Sequence, residues 1–218
     1  MKDRIKKYSK AHTIYKTSDG TRVVGTTTIT GLLAKPHLVA WANRLGLEGI
    51  DSTKYRDSSA EAGTLAHELI QAHLQGTEVD MTDYSPLSLE LAENSFLSYL
   101  EWEKHHNVKM IFCEKPLVHE TMKYGGTVDC YCELDGLKTL LDFKSGKAIY
   151  DEYFVQLAAY KELLIHKGYE VEQVRILRIG RDETEGFEDR SPGKTDKYWE
   201  IFKDLLHIYK LKKELKWT

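Results

Sequence analysis

Cysteine is scarce in this chain: three thiols in 218 residues, Cys113, Cys130 and Cys132. A sparse, odd set argues against a disulfide framework and fits a reducing compartment, expected to be the cytoplasm. Cys130 and Cys132 alternate on an expected strand, so both thiols face one apolar side and read as core packing ahead of metal binding. Four cysteines for an iron–sulfur cluster are lacking, and no such cluster is expected. Long apolar runs are missing too; nothing approaches the roughly 20 residues of a membrane span, so no membrane partner is expected. The start, Met1-Lys-Asp-Arg-Ile-Lys-Lys, has no apolar stretch behind it and does not read as a secretory signal. No Gly-x-x-x-x-Gly-Lys-[Ser/Thr] loop occurs, which argues against a nucleotide cofactor and against unwinding of DNA by this chain alone. Basic excess is absent: the net charge is −3, unlike a static DNA coat. An enzyme that must release a polyanion can instead gather its cations locally. Two such collections exist, Lys2, Arg4, Lys6, Lys7 and Lys10 at the start and Lys210, Lys212, Lys213 and Lys216 at the end.

What is present fits one soluble globular unit, with 41% hydrophobic and 30% charged residues. We expect a single domain over 1–218, with 1–56 as an N-terminal helical and hairpin subregion and 57–180 as the core. Residues 12–24 read as a hairpin turning at Ser18-Asp19-Gly20. Thr26, Thr27 and Thr28 offer N-cap hydroxyls to a short helix, and a helix over 38–45 follows the break at Lys35-Pro36. Apolar residues at helical spacing predict helices over 58–74 and 86–106, the second with a stripe of Leu87, Leu91, Ser95, Leu97 and Trp102. Strands are expected over 109–119, 125–134 and 137–144, then a helix over 150–167 closed by Gly168, a parallel strand over 172–179, a polar mobile stretch over 180–194, and a last helix over 196–215. The fold class is α/β, a mixed β-sheet core flanked by helices.

The chemistry gathers on one hairpin. Asp135-Gly136 between alternating apolar runs is a strong two-residue turn signal. Counting outward sets Leu134 against Leu137, Glu133 against Lys138, Tyr131 against Leu140 and Asp129 against Asp142. Opposed residues have Cβ atoms roughly 4.5–5.5 Å apart, where like charges repel. Two aspartates so placed call for a cation, and Mg²⁺ or Mn²⁺ suits carboxylate oxygens. Lys144 shares their face two residues on. The metal can polarise a phosphoryl oxygen and acidify a water, and the ammonium can steady developing charge. The plain alternative is a solvated hairpin with Asp–Lys pairs.

Other residues can join the site. His67 lies at the edge of an apolar helical stripe and offers an imidazole ligand; the alternative is a structural histidine. The zinc pattern fails there, since His67-Glu68-Leu-Ile is followed by Gln71. Glu114 is either an extra carboxylate at the site or a partner of Lys115 or another surface lysine. Gln156 and Tyr160 are i and i+4 and share a helical face, with Tyr153 on the same side. Trp41 and Tyr55 are candidates for base stacking, with core packing as the alternative for Trp41.

Taken together, Gly63…His67, Gly126…Asp129, Asp142-Phe-Lys144 and Gln156…Tyr160, in this order, resemble the PD-(D/E)XK nuclease superfamily, in particular its RecB-like exonuclease branch, over about residues 60–180. The resemblance implies a restriction-endonuclease-like fold and metal-dependent hydrolysis of DNA, as an exonuclease on single strands or ends in recombination, repair or degradation. It implies that His67, Asp129, Asp142 and the Phe143 carbonyl bind Mg²⁺ or Mn²⁺ and that Lys144 is catalytic, with Asp142, Asp129 and Glu114 beside it. Gln156, Tyr160, Ser145 and Lys147 would touch DNA. A recombination or replication protein is an expected partner. A non-catalytic DNA-end binding subunit on the same fold is the competing reading.

Overall fold

The computed structural model describes residues 13–217. The basic collection from Lys2 to Lys10 lies outside them. Among the described residues, a short hairpin of β1 (Tyr15–Lys16) and β2 (Arg22–Gly25) leads into α1 (Thr26–Thr30), α2 (Pro36–Leu47), α3 (Ser52–Gln75) and α4 (Pro86–Glu103). Then come β3 (Val108–His119), β4 (Tyr124–Leu134), β5 (Leu137–Lys144), α5 (Asp151–His166), β6 (Gln173–Ile179), β7 (Phe187–Arg190) and α6 (Asp196–Glu214). The seven strands form one mixed sheet in the order β1-β2-β4-β5-β6-β7, with β3 also paired to β4. β2 with β4 and β5 with β6 are parallel; the remaining pairs are antiparallel. No helix among the described residues is long and apolar enough to cross a membrane.

Helices cover both faces of this sheet. Tyr131, Leu140 and Ile176 pack with α5 and α6 residues such as Leu157, Leu163 and Phe202. Cys130, Cys132, Leu141 and Phe143 pack on the opposite face with Leu65, Ile70 and Tyr99 from α3 and α4. Each large apolar side chain so buried contributes on the order of 1.5–3 kcal/mol. The mixed α/β architecture is the one expected.

The turn chemistry holds. Asp135 (φ 52°) and Gly136 (φ 89°) are both left-handed, the backbone of a type I′ turn. The ladder follows as counted, with Leu134 opposite Leu137, Glu133 opposite Lys138 and Cys130 opposite Leu141. What differs is exposure. The face with Tyr131 and Leu140 is core, because α5 covers it, and chemistry is confined to the far end of the strands. Val128 also leaves the side of Cys130 and packs in the α5 cluster, so the alternation breaks at Asp129.

Helix ends follow capping chemistry. α3 begins earlier than expected because the Asp51 carboxylate accepts from the Thr53 and Lys54 amides at 2.9 and 3.2 Å. The threonines before α1 do not cap it; Thr26 is helical and donates to the Gly125 carbonyl at 2.9 Å. α4 is rotated from its expected stripe. Ser88, Ala92, Ser95, Tyr99 and Trp102 face inward, while Leu87 and Leu97 are 55% and 60% exposed. Small residues on the inner face let the helix approach, and Ser95 donates to the carbonyls of Ile179 and Gly180. The stretch over 180–194 contains β7 in place of the expected loop. Its Phe-Glu-Asp-Arg has no apolar alternation and is held through backbone pairing to β6 and the buried Arg181–Glu185 ion pair.

Gly126 marks a close approach. A Cβ there would lie 2.5 Å from Tyr160 Cε1 and 2.9 Å from Thr26 Oγ1, inside a packed core. Gly126→Ala should cost about 1–3 kcal/mol by overpacking, which for a chain of this size lowers Tm by roughly 3–10 °C. Gly46→Ala in α2, where a Cβ meets nothing within 4 Å, is the control. Calorimetry that finds equal Tm values for both variants and the parent would refute the packing argument.

Candidate metal centre

Four elements bring their side chains to the end of the β4–β5 hairpin away from its turn. β4 pairs with β3 along its length, while its other edge pairs with β5 through Cys130 and with β2 at Gly125. In the gap between those partners the Asp129 carboxylate accepts the Phe143 amide at 3.0 Å, a side-chain bond where the next ladder step would fall. That bond fixes Asp129 against β5.

α3 delivers His67. Residue 63, one turn earlier, is a glycine that faces Ser145, just past the end of β5; a Cβ there would require the Ser145 hydroxyl to rotate away. The His67 ring stands edge-on to Phe143, with centroids 5.7 Å apart. Its Nδ1 lies 3.8 Å from Asp129 Oδ2 and 3.9 Å from Glu114 Oε1. One ligand atom from each of His67, Glu114 and Asp129 lies within 4.8 Å of the others. All three side chains are 14–20% exposed, so the cluster is reached from solvent.

Glu114 therefore belongs with the cluster. Lys115, its alternative partner, bonds the Tyr169 hydroxyl at 2.8 Å and sits over the Phe112 ring. Glu114 is left-handed (φ 49°) within a strand. Such a backbone costs a β-carbon residue about 1–2 kcal/mol, and strain of this kind collects at functional sites. No local pattern in the sequence announces it.

Asp142 behaves differently from its expected twin. It is 1% exposed, neither of its oxygens meets a well-directed hydrogen-bond donor, and Lys144 Nζ lies 2.5 Å from Oδ2. The expected symmetrical grip of two aspartates is thus replaced by two units: Asp129 with His67 and Glu114, and Asp142 with Lys144. Burial pushes the Asp142 pKa up to about 6, helped by the charge of Asp129 and opposed by Lys144. Burial also works against the Lys144 ammonium, but Asp142 and Asp129 outweigh it and hold its pKa above the ordinary lysine value. Lys144 Nζ is also 5.2 Å from the centre of the Tyr153 ring.

The amide of Gln156 donates to the Tyr160 hydroxyl at 2.9 Å, as the i, i+4 spacing requires. Tyr160 is 4% exposed and packs on Gly126, so a direct contact with DNA is not open to it in this arrangement. Its position instead ties α5 to the strand that carries Asp129. Ser145 lies under α3, and Lys147 is exposed beyond Gly146. Phe143 enters the site through its amide and ring. Tyr15 joins the surroundings of the site from the N-terminal hairpin: its hydroxyl is 3.0 Å from Thr127 Oγ1 and its ring covers Gly125, anchoring the hairpin to β4. A contact across 112 positions leaves no local signature.

The donor set fits a hard divalent ion. An imidazole and two carboxylates converge, and a third carboxylate nearby is buried without a full complement of donors; oxygen-rich sites of this kind take Mg²⁺ or Mn²⁺, and imidazole favours Mn²⁺.

No protein-family model matches the chain, and no curated protein matches it. Among solved structures it is similar to a putative exonuclease from Eubacterium rectale, with a TM-score of 0.45 and 12% identity, over 67% of this chain and 64% of that one. It is similar to an alkaline exonuclease from Laribacter hongkongensis, with a TM-score of 0.46 and 12% identity, over 89% of both chains. The same exonuclease in complex with dAMP gives a TM-score of 0.43 and 12% identity, over 89% of this chain and 93% of that one. The chain thus spans a little under two thirds of the first of these relatives and nearly all of the second.

Binding of Mn²⁺ should be visible without any turnover. At about 100 times its dissociation constant a ligand adds about 2.7 kcal/mol, a rise in Tm of roughly 5–10 °C for a chain of this size. Scanning fluorimetry should show that most of this rise disappears in Asp129→Asn and Glu114→Gln. An undiminished rise in both variants would place the ion elsewhere.

Proposed function

We propose that this protein is a divalent-metal-dependent nuclease that hydrolyses phosphodiester bonds in DNA, as an exonuclease on single strands or strand ends. The observation that carries this reading is the convergence of His67, Glu114 and Asp129 beside the buried Asp142–Lys144 pair. Three carboxylates, those of Glu114, Asp129 and Asp142, gather here with the Lys144 ammonium. His67, Glu114, Asp129 and Asp142 are the residues that would hold Mg²⁺ or Mn²⁺. When bound, such an ion supplies Lewis-acid polarisation of a phosphoryl oxygen and lowers the pKa of water.

The chain's own residues do the rest. Asp142 holds the Lys144 ammonium in place, so its donors are pre-aimed at charge that develops on the phosphoryl group. Asp129 is kept in position by the Phe143 amide, which reduces the reorganisation needed on substrate binding. Tyr153 lies against one side of Lys144, its ring centre 5.2 Å from Nζ. Gln156, fixed by Tyr160, presents its half-buried amide on the same helix. The exonuclease and DNA assignments follow the motif resemblance, as do a role in bacterial or phage recombination, repair or degradation, a cytoplasmic setting and a partner from replication or recombination. In this reading the whole chain is one nuclease domain with residues 57–180 as its catalytic core.

Labelled single-stranded DNA incubated with Mg²⁺ or Mn²⁺ should be shortened progressively, and EDTA should stop the reaction. Lys144→Ala should lower kcat by about 10²–10³-fold, the usual loss when one transition-state donor is removed. Undiminished kcat in Lys144→Ala would overturn the assignment.

A further inference from the structure

A second feature lies apart from the metal centre. A cleft of about 760 Å³ opens between the β1–β2 hairpin and the last turns of α6. Arg22, Lys123, Lys210 and Lys213 line it, with Tyr209 and Thr27, and no carboxylate lines it among the described residues. These four cations come from three segments far apart in sequence, in a chain whose net charge is −3. Lys123 has Asp19 at 3.8 Å, and Lys210 donates to the Met122 carbonyl at 3.2 Å. Arg22 and Lys213 have no carboxylate partner among the described residues. Bringing four like charges together costs Coulomb energy that an apolar or neutral lining would avoid. Tyr209 adds an aromatic face of the kind on which bases stack.

The cleft and the metal centre are connected through β4. Lys123 immediately precedes β4, and Asp129 lies six positions further on the same strand, about 20 Å away at roughly 3.3 Å per residue. Gly25, on the cleft wall, pairs with Gly125 of β4. We propose that this cleft binds the phosphodiester backbone of a nucleic-acid strand several nucleotides away from the bond held at the metal centre. The inference rests on the nuclease reading only for the identity of that strand as substrate. Its consequence is a length requirement: a strand must be long enough to reach both places to be held well.

The test separates binding from cleavage. Fluorescence anisotropy of a labelled single-stranded oligonucleotide that spans both places, with the full chain in EDTA, reads binding alone. Each phosphate contact on a single strand contributes about −0.7 to the slope of log K against log salt. Lys210→Gln with Lys213→Gln should therefore flatten the slope by about 1.4 and weaken binding about tenfold at low salt. Arg22→Gln, on a different element, should act in the same direction, and Lys203→Gln, on α6 and paired with Glu200, should leave binding unchanged. In Mg²⁺ or Mn²⁺ the double variant should raise KM for long strands and leave cleavage of a dinucleotide unaltered. Unchanged affinity and slope in both the double variant and Arg22→Gln would overturn the cleft assignment even if the chain cleaves DNA. So would competition by poly-glutamate equal to that by oligonucleotide. Weakened binding in a chain that cleaves nothing in any divalent ion would uphold the cleft and remove the nuclease reading.

Discussion

The Lys144 ammonium lies 2.5 Å from a carboxylate that solvent does not reach, on a strand flanked by neighbours on both edges. Such a pair costs several kcal/mol per ion in desolvation, and apolar residues of similar volume are often as stabilising or more so. Its value lies elsewhere. The buried carboxylate holds the lysine head group at a fixed point, and the lysine keeps the carboxylate ionised against burial and the charge of Asp129. Removing either member leaves the other as an uncompensated buried charge.

Around that pair the fold is arranged by a few close approaches. Glycine at 63 lets α3 pass close to Ser145 in the turn after β5, one helical turn from His67, and glycine at 126 admits the Tyr160 ring beneath β4, the strand that carries Asp129. The sheet supplies the opening. β4 is shared on one edge by β5 and β2, and in the gap a side chain stands in for a ladder bond. Interruptions of regular pairing next to functional groups are a known way of re-aiming side chains. Glu114, left-handed in mid-strand, is the matching distortion on β3.

The N-terminal hairpin and α6 enclose a second charged surface on the far side of β2. Their docking depends on apolar packing of α1, α5 and α6 around Phe202 and Ile29, with Tyr124 bonded to the Ala159 carbonyl at 3.0 Å. The two places on the molecule that suit anions or cations are therefore joined through β4, and a change in its N-terminal half reaches both.

Local chemistry determined a good deal by itself. Asp135-Gly136 set the type I′ turn and with it the register of β4 and β5 out to Cys130 and Leu141, one step short of the expected Asp129–Asp142 pair; Asp142 and Lys144 fell on one strand face, and Gln156 found Tyr160 one helical turn away. Each is a relation between residues a few positions apart, where turn preference, strand alternation or helical pitch leaves little freedom. Tertiary packing decided what those rules do not reach. It placed Glu114 with His67 and Asp129, shut Asp142 away from solvent, turned Val128 to the other side of the sheet, hid Tyr160 in the core, and gathered Arg22, Lys123, Lys210 and Lys213 around one cleft. These outcomes depend on how closely separate segments can approach one another, a matter of side-chain volume and buried charge summed over the whole molecule, and no short window of sequence contains that sum.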